Sequence, residues 1–186
     1  MTDIRPATSR DAPAIHTLYA PIVAGTHISF EVEPPSVEEL RRRMEAAPIP
    51  WLVRESAGGI TGFASAGLFR ERAAYRWTAE MSIYVAERER LRGVGRALGG
   101  ALLDRLRVAG YRSAVGVVAL PNPASEGLLR ALGFRPVGLL REAGFKLDRW
   151  WDVQLWQRVL EEPQGDAHGR GRGDRLEDPP PQAEEG

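Results

Sequence analysis

Residues 77–98 read WTAEMSIYVAERERLRGVGRAL, and this stretch decides how the rest of the chain is arranged. From Trp77 to Val85 the residues alternate. Trp77, Ala79, Met81, Ile83 and Val85 share one side of an extended segment, and Thr78, Glu80, Ser82 and Tyr84 share the other. A period of two predicts a strand with one apolar face and one face that carries chemistry. The charged run Glu87 to Arg92 follows, then Gly93-Val94-Gly95. A helical pattern starts at once, with Leu98, Ala101, Leu102 and Leu106 on one side and Gly110 as its terminator. A strand that passes through a glycine turn into a helix leaves backbone N–H groups unpaired at the positive end of the helix dipole. That is an anion site. Gly93 and Gly95 let the main chain approach a pyrophosphate, and Arg90, Arg92 and Arg96 are placed to add charge. The same glycines also suit a plain tight turn. The lysine and hydroxyl residue of a P-loop are missing, and the spacing is not that of the dinucleotide fingerprint.

Glu80 is the second feature. A carboxylate within a strand is most simply a sheet-edge residue or the partner of an arginine. Its place on one face with Ser82 and Tyr84, a few residues before the anion turn, is where an α/β sheet binds ligands. That makes it a candidate general base beside a phosphate-bearing ligand.

Working outward, Asp3 to Pro6 reads as a short strand. Thr8 and Asp11 then start a helix whose apolar face is Ile15, Leu18, Tyr19 and Ile22. Ser36 and Glu39 cap a second helix, from about Val37 to Ala46, with Arg41, Arg42 and Arg43 as its solvated face. WLVRES and ITGFASAGLF are strands joined at Gly58 and Gly59. SAVGVVAL is a buried strand. Asn122 and Pro123 open a helix stopped by Gly133, and strands at about Arg135 to Leu140 and Asp152 to Leu160 close the domain. The order of elements predicts an α/β fold with a mixed sheet. The globular domain is expected over 1–162. The tail, 163–186, is nearly free of apolar residues and is expected to be disordered.

The totals narrow the function. A chain of 186 residues holds one domain. Its 25 basic and 25 acidic residues cancel, so neither nucleic acid nor an anionic membrane is an expected partner. No cysteine is present, which removes thiolate catalysis, and His16, His27 and His168 lack metal-ligand spacing. No metal is expected. The amino terminus has no apolar targeting core, no apolar run approaches the roughly 20 residues of a membrane span, and the expected location is the cytoplasm.

RLRGVGRA after a strand, followed by a strand and an Asn-initiated helix, resembles the acetyl-CoA site of the GNAT acetyltransferase superfamily. TAEMSIYV, ALPNPASEGLLRALGF and LREAGFKLDRWWDVQLWQ resemble segments of the phosphinothricin and methionine sulfoximine N-acetyltransferases, and the likeness runs from about Asp3 to Arg158. The resemblance implies a twisted mixed sheet splayed around acetyl-CoA as co-substrate, helices on both sides, and a homodimer. It implies that the backbone of Ile83, Tyr84 and Val85 pairs with the pantetheine arm. The turn Arg92, Gly93, Val94, Gly95, Arg96, Ala97 then holds the pyrophosphate, and Asn122 lies beside the cofactor. Glu80 becomes the base that takes a proton from a small amino-acid-like amine, and Tyr84 is the candidate acid. Phe30, Arg72 and Tyr75 fall where that family binds substrate, an arginine suiting a carboxylate or phosphinate. Two departures stand out: Leu129 and Trp151 occupy positions where the glufosinate enzymes carry histidines. The rival expectations are a protein or peptide acetyltransferase and a non-catalytic sensor of acyl-CoA.

Overall fold

The computed structural model describes residues 3–160, so the expectations for 163–186 lie outside the described residues. Eleven main elements alternate along the chain: β1 (Asp3–Pro6), α1 (Ala12–Gly25), α2 (Val37–Glu45), β2 (Leu52–Ser56), β3 (Gly59–Leu68), β4 (Thr78–Val85), α3 (Val94–Val108), β5 (Ser113–Ala119), α4 (Pro123–Ala131), β6 (Arg135–Lys146) and β7 (Arg149–Val159). The strands form one seven-stranded sheet in the order β1-β2-β3-β4-β5-β7-β6. Only β4 and β5 run parallel; every other neighbouring pair is antiparallel.

The sheet divides the core in two. On one face α3 and α4 bury Leu98, Leu102, Leu106 and Leu129 against Ala79, Met81, Ala114 and Trp156. On the other, α1 and α2 bury Ile15, Tyr19, Val23 and Leu40 against Val53 and Phe63. The alternation of β4 is therefore realised, and Glu80, Ser82 and Tyr84 face the α1 and α2 side. Helix α1 seals itself with Ala12, Ile15, Tyr19 and Val23, while Leu18 and Ile22 are only half-buried, one position away from the expected face. A capping box closes the 3-10 turn Ser9–Asp11 that leads into it: Thr8 N–H donates to Asp11 Oδ2 at 2.7 Å. Arg5 holds the same carboxylate with bonds of 2.8 and 2.9 Å.

Two expectations need correction. The strand from Arg135 runs on to Lys146 rather than ending at about Leu140, and the last strand starts at Arg149 rather than Asp152, so the two meet in a hairpin closed by Leu147 and Asp148, at φ of 53° and 57°. Two left-handed residues in succession make the turn that follows the twist of paired strands, but Gly and Asn, its usual markers, are absent there. Arg43, expected in a solvated face, is half-buried and bridges Glu31 and Glu39. Among the described residues no helix is long and apolar enough to cross a membrane.

Candidate active site

The parallel pair β4 and β5 is in register only at Thr78↔Ser113, Ala79↔Ala114 and Glu80↔Val115. Beyond Glu80 the strands part, while β4 stays bonded to β3 as far as Val85↔Gly62. The β5-facing edge of residues 81–85 therefore has no strand partner, and its main-chain groups are open to a ligand. A cleft of about 70 Å³ occupies the gap. Its walls are β4 at Ser82, Ile83 and Tyr84, β5 at Gly116 to Val118, and α4 at Asn122 and Ser125.

At the carboxyl end of β4 a short 3-10 turn, Glu87–Glu89, leads to Gly93, which caps α3. The two glycines of the turn do different jobs. Gly93 has φ of +80°, a conformation that side chains rarely adopt. Gly95 is small because Leu128 of α4 lies on it: a Cβ there would meet Leu128 Cδ2 at 3.0 Å. Tight helix packing accounts for Gly95, and the turn needs only Gly93 for its backbone. Gly93 O accepts from Ala97 N, and no side chain caps the helix. The amides of Val94, Gly95 and Arg96 precede that first bond and lack intrahelical acceptors, as the start of any helix requires. The Val94 side chain is buried in the core, and Arg92 and Arg96 are exposed at the mouth of the turn.

Asn122 is buried and caps α4, its Oδ1 accepting from Ser125 N at 3.1 Å. Glu80 sits at the last paired position before the strands diverge. On the α2 side it lines an open groove of about 610 Å³ with Arg42, Arg43, Trp51, Ser65 and Ser82. Ser82 lines both spaces, so groove and cleft meet at β4. Burial pushes the Glu80 carboxyl above its ordinary value, and the positive charge of Arg70 pulls it partly back. A carboxylate whose proton affinity is raised by burial is a better proton acceptor than an exposed one. Arg70 was not singled out from the sequence. Its only local signal is its place in the basic loop Arg70-Glu71-Arg72, and its relation to Glu80 is tertiary.

Replacing Arg70 with Met removes the charge that favours ionised Glu80. If Glu80 is the base, the acid limb of kcat/KM then moves to higher pH, because its proton is held more tightly. The pH profile of the variant checks this. A limb that stays in place would separate Arg70 from Glu80.

Phe30, Arg72 and Tyr75 do not line either of these two spaces. Arg72 and Tyr75 are exposed in the loop between β3 and β4, where Tyr75 meets Phe69 edge-on. Phe30 is half-exposed and lies over Gly144 of β6. Its loop is tied down by the buried Lys146, whose ammonium donates to Val23 O and Ser29 O at 2.6 Å each. Ile28 of the same loop reaches the cleft. Tyr84 turns towards α1: its ring packs on Tyr19 and Phe63, with centroids 4.6 and 5.2 Å apart. Burial raises its pKa. A tyrosine tied up in this way is poorly placed to protonate a leaving group in the cleft.

Leu129 is buried against Gly116. Trp151 stacks on His27 with ring centroids 3.9 Å apart, and His27 Nε2 lies 3.0 Å from Pro121 O. The imidazole near this end of the cleft thus comes from the loop after α1. Among the described residues no group of three or more histidine, aspartate or glutamate side chains could hold a metal ion.

Comparison with known proteins agrees with this geometry. A family profile described as an acetyltransferase (GNAT) domain matches residues 4–155. The chain is 38% identical to phosphinothricin N-acetyltransferase of Streptomyces viridochromogenes, across 87% of this chain and 89% of that protein. It is 32% identical to the L-methionine sulfoximine/L-methionine sulfone acetyltransferase of Pseudomonas aeruginosa, across 85% and 94%. The crystal structure of a GNAT superfamily phosphinothricin acetyltransferase from Sinorhizobium meliloti, in complex with AcCoA, is similar with a TM-score of 0.82 and 34% identity, covering 92% of this chain and 94% of that one.

Proposed function

The chain belongs to the GNAT acetyltransferase family, and on that premise we propose that it transfers an acetyl group from acetyl-CoA to the amine of a small amino-acid-like acceptor. The observation that carries the reading is the position of Glu80, at the point where β4 and β5 part and where the cleft meets the groove. In this reading the free edge of Ile83, Tyr84 and Val85 receives the pantetheine arm. The amides from Arg92 to Ala97 receive the pyrophosphate, and Asn122 borders the arm. Acetyl-CoA supplies the activated acyl group. Glu80 takes the proton from the acceptor ammonium, Arg70 tempers its basicity, and the open edge of β4 offers N–H groups to the developing oxyanion.

Phe30, with Arg72 and Tyr75 on the loop after β3, forms the acceptor end of the site in this proposal. The names of the relatives support an acceptor of the methionine sulfoximine, methionine sulfone or phosphinothricin type. We place the protein in the cytoplasm and pair it as a homodimer through β6, whose Val137, Leu139, Leu140 and Phe145 stand exposed beside Trp150 of β7. The test is thiol release from acetyl-CoA across a panel of amino acids, methionine sulfone, methionine sulfoximine and phosphinothricin, against a blank without acceptor. Release with at least one acceptor is the expected outcome. Silence across the panel, with acetyl-CoA still bound, would shift the acceptor to a protein amine.

A further inference from the structure

Acyl transfer also needs the departing thiolate to be stabilised, and the Tyr84 side chain packs against Tyr19 and Phe63 on the far side of the sheet. The polar residues that line the cleft are Ser82, Tyr84, Asn122 and Ser125, of which Ser82 and Tyr84 carry their side chains on the opposite face of β4. Ser82 also lines the groove beside Glu80, which is the amine's side of the carbonyl. Asn122 spends its oxygen on the cap of α4. Ser125 lines the cleft alone, one turn before Leu129, which offers no donor. Its main-chain N–H is the group bonded to Asn122, so its hydroxyl takes no part in the cap.

We infer that the Ser125 hydroxyl donates a hydrogen bond to the sulfur of acetyl-CoA as it leaves, an assignment that rests on the acetyl-CoA reading. Glu80 takes one proton from the ammonium, and the freed amine nitrogen forms its bond to the carbonyl carbon and loses its second proton to solvent. The carbon–sulfur bond then breaks with its electron pair on sulfur, and solvent protonates the thiolate. A thioester sulfur is a weak acceptor and a thiolate a strong one, so the bond from Ser125 strengthens as the reaction proceeds. A contact of that kind raises kcat rather than affinity.

The ionisation of bound CoA tests the assignment directly. The chain has no cysteine, so thiolate absorbance, read by difference against the desulfo-CoA complex, reports the ligand thiol. In the wild type the bound thiol should ionise at lower pH than free CoA. Ser125→Ala should raise that midpoint by about one to two pH units and lower kcat by about 10- to 100-fold, the range of a hydrogen bond to a charged group. Affinity for desulfo-CoA should stay within about twofold, and Ser125→Thr should restore the wild-type midpoint. An identical midpoint in wild type and Ser125→Ala overturns the role of Ser125 and leaves the acetyltransferase reading standing. Failure of the wild type to bind CoA overturns both.

Discussion

Replacing Glu80 with Gln is expected to lower kcat by about 100- to 10,000-fold, the usual contribution of a positioned general base, while CoA binding stays within about twofold of wild type. The substitution keeps the shape of the side chain and removes its basicity. Glu80 is half-buried, and neutral glutamine is easier to desolvate than a carboxylate, so the fold should not suffer. Loss should therefore appear in turnover and not in the thermal midpoint. The proposed arm and pyrophosphate contacts lie at residues 83–85 and 92–97, away from the changed atom. Steady-state kinetics with isothermal titration of CoA checks both halves. Turnover of the variant within a few-fold of wild type would exclude Glu80 as the base. A wild type that binds CoA and turns over no amine would support the sensor reading.

The face that carries Glu80 was legible because a strand has a period of two, and the apolar set Ala79, Met81 and Ile83 left only one face for the carboxylate. The turn was legible for a similar reason, since glycine between a strand and a helix invites a backbone reading. The sequence does not separate the two glycines, because the demand on Gly95 comes from Leu128 on another helix. Arg70 escaped notice because its effect on Glu80 is made across space by a loop and a strand. The alternation gives the face on which the Tyr84 side chain lies and no more. Its place on the strand says nothing about Tyr19 and Ser29, which reach it from α1 and the following loop. The long hairpin of β6 and β7 was invisible past Leu140 because its turn uses Leu147 and Asp148 without a glycine, and because a register shift between Leu140 and Gly144 interrupts the alternation.

Gly144 beside that shift supports a second large effect, and one that joins packing to acceptor binding. Its φ is not in the left-handed region, so its backbone tolerates alanine. The obstacle is the Phe30 ring, which occupies the space that a Cβ on residue 144 would take. Gly144→Ala must push Phe30 and its loop off β6, against the hold of Lys146 on Ser29 O. Overpacking of this kind costs about 1–3 kcal/mol. Because Phe30 belongs to the proposed acceptor end of the site, the acceptor KM should rise by about tenfold or more, the worth of a displaced apolar wall. Phe30→Ala in the wild-type background should raise KM likewise with a smaller loss of stability, since the ring is 40% exposed. Combining the two separates the effects. Without the ring, alanine at 144 fits, so the double variant should be more stable than the sum of the single losses predicts, while its KM stays high. Full additivity in stability would mean that ring and glycine do not meet in solution. An unchanged KM in both single variants would remove Phe30 and its loop from the acceptor site, leaving the groove beside Glu80, Arg43 and Trp51, with Arg72 and Tyr75, to hold the acceptor.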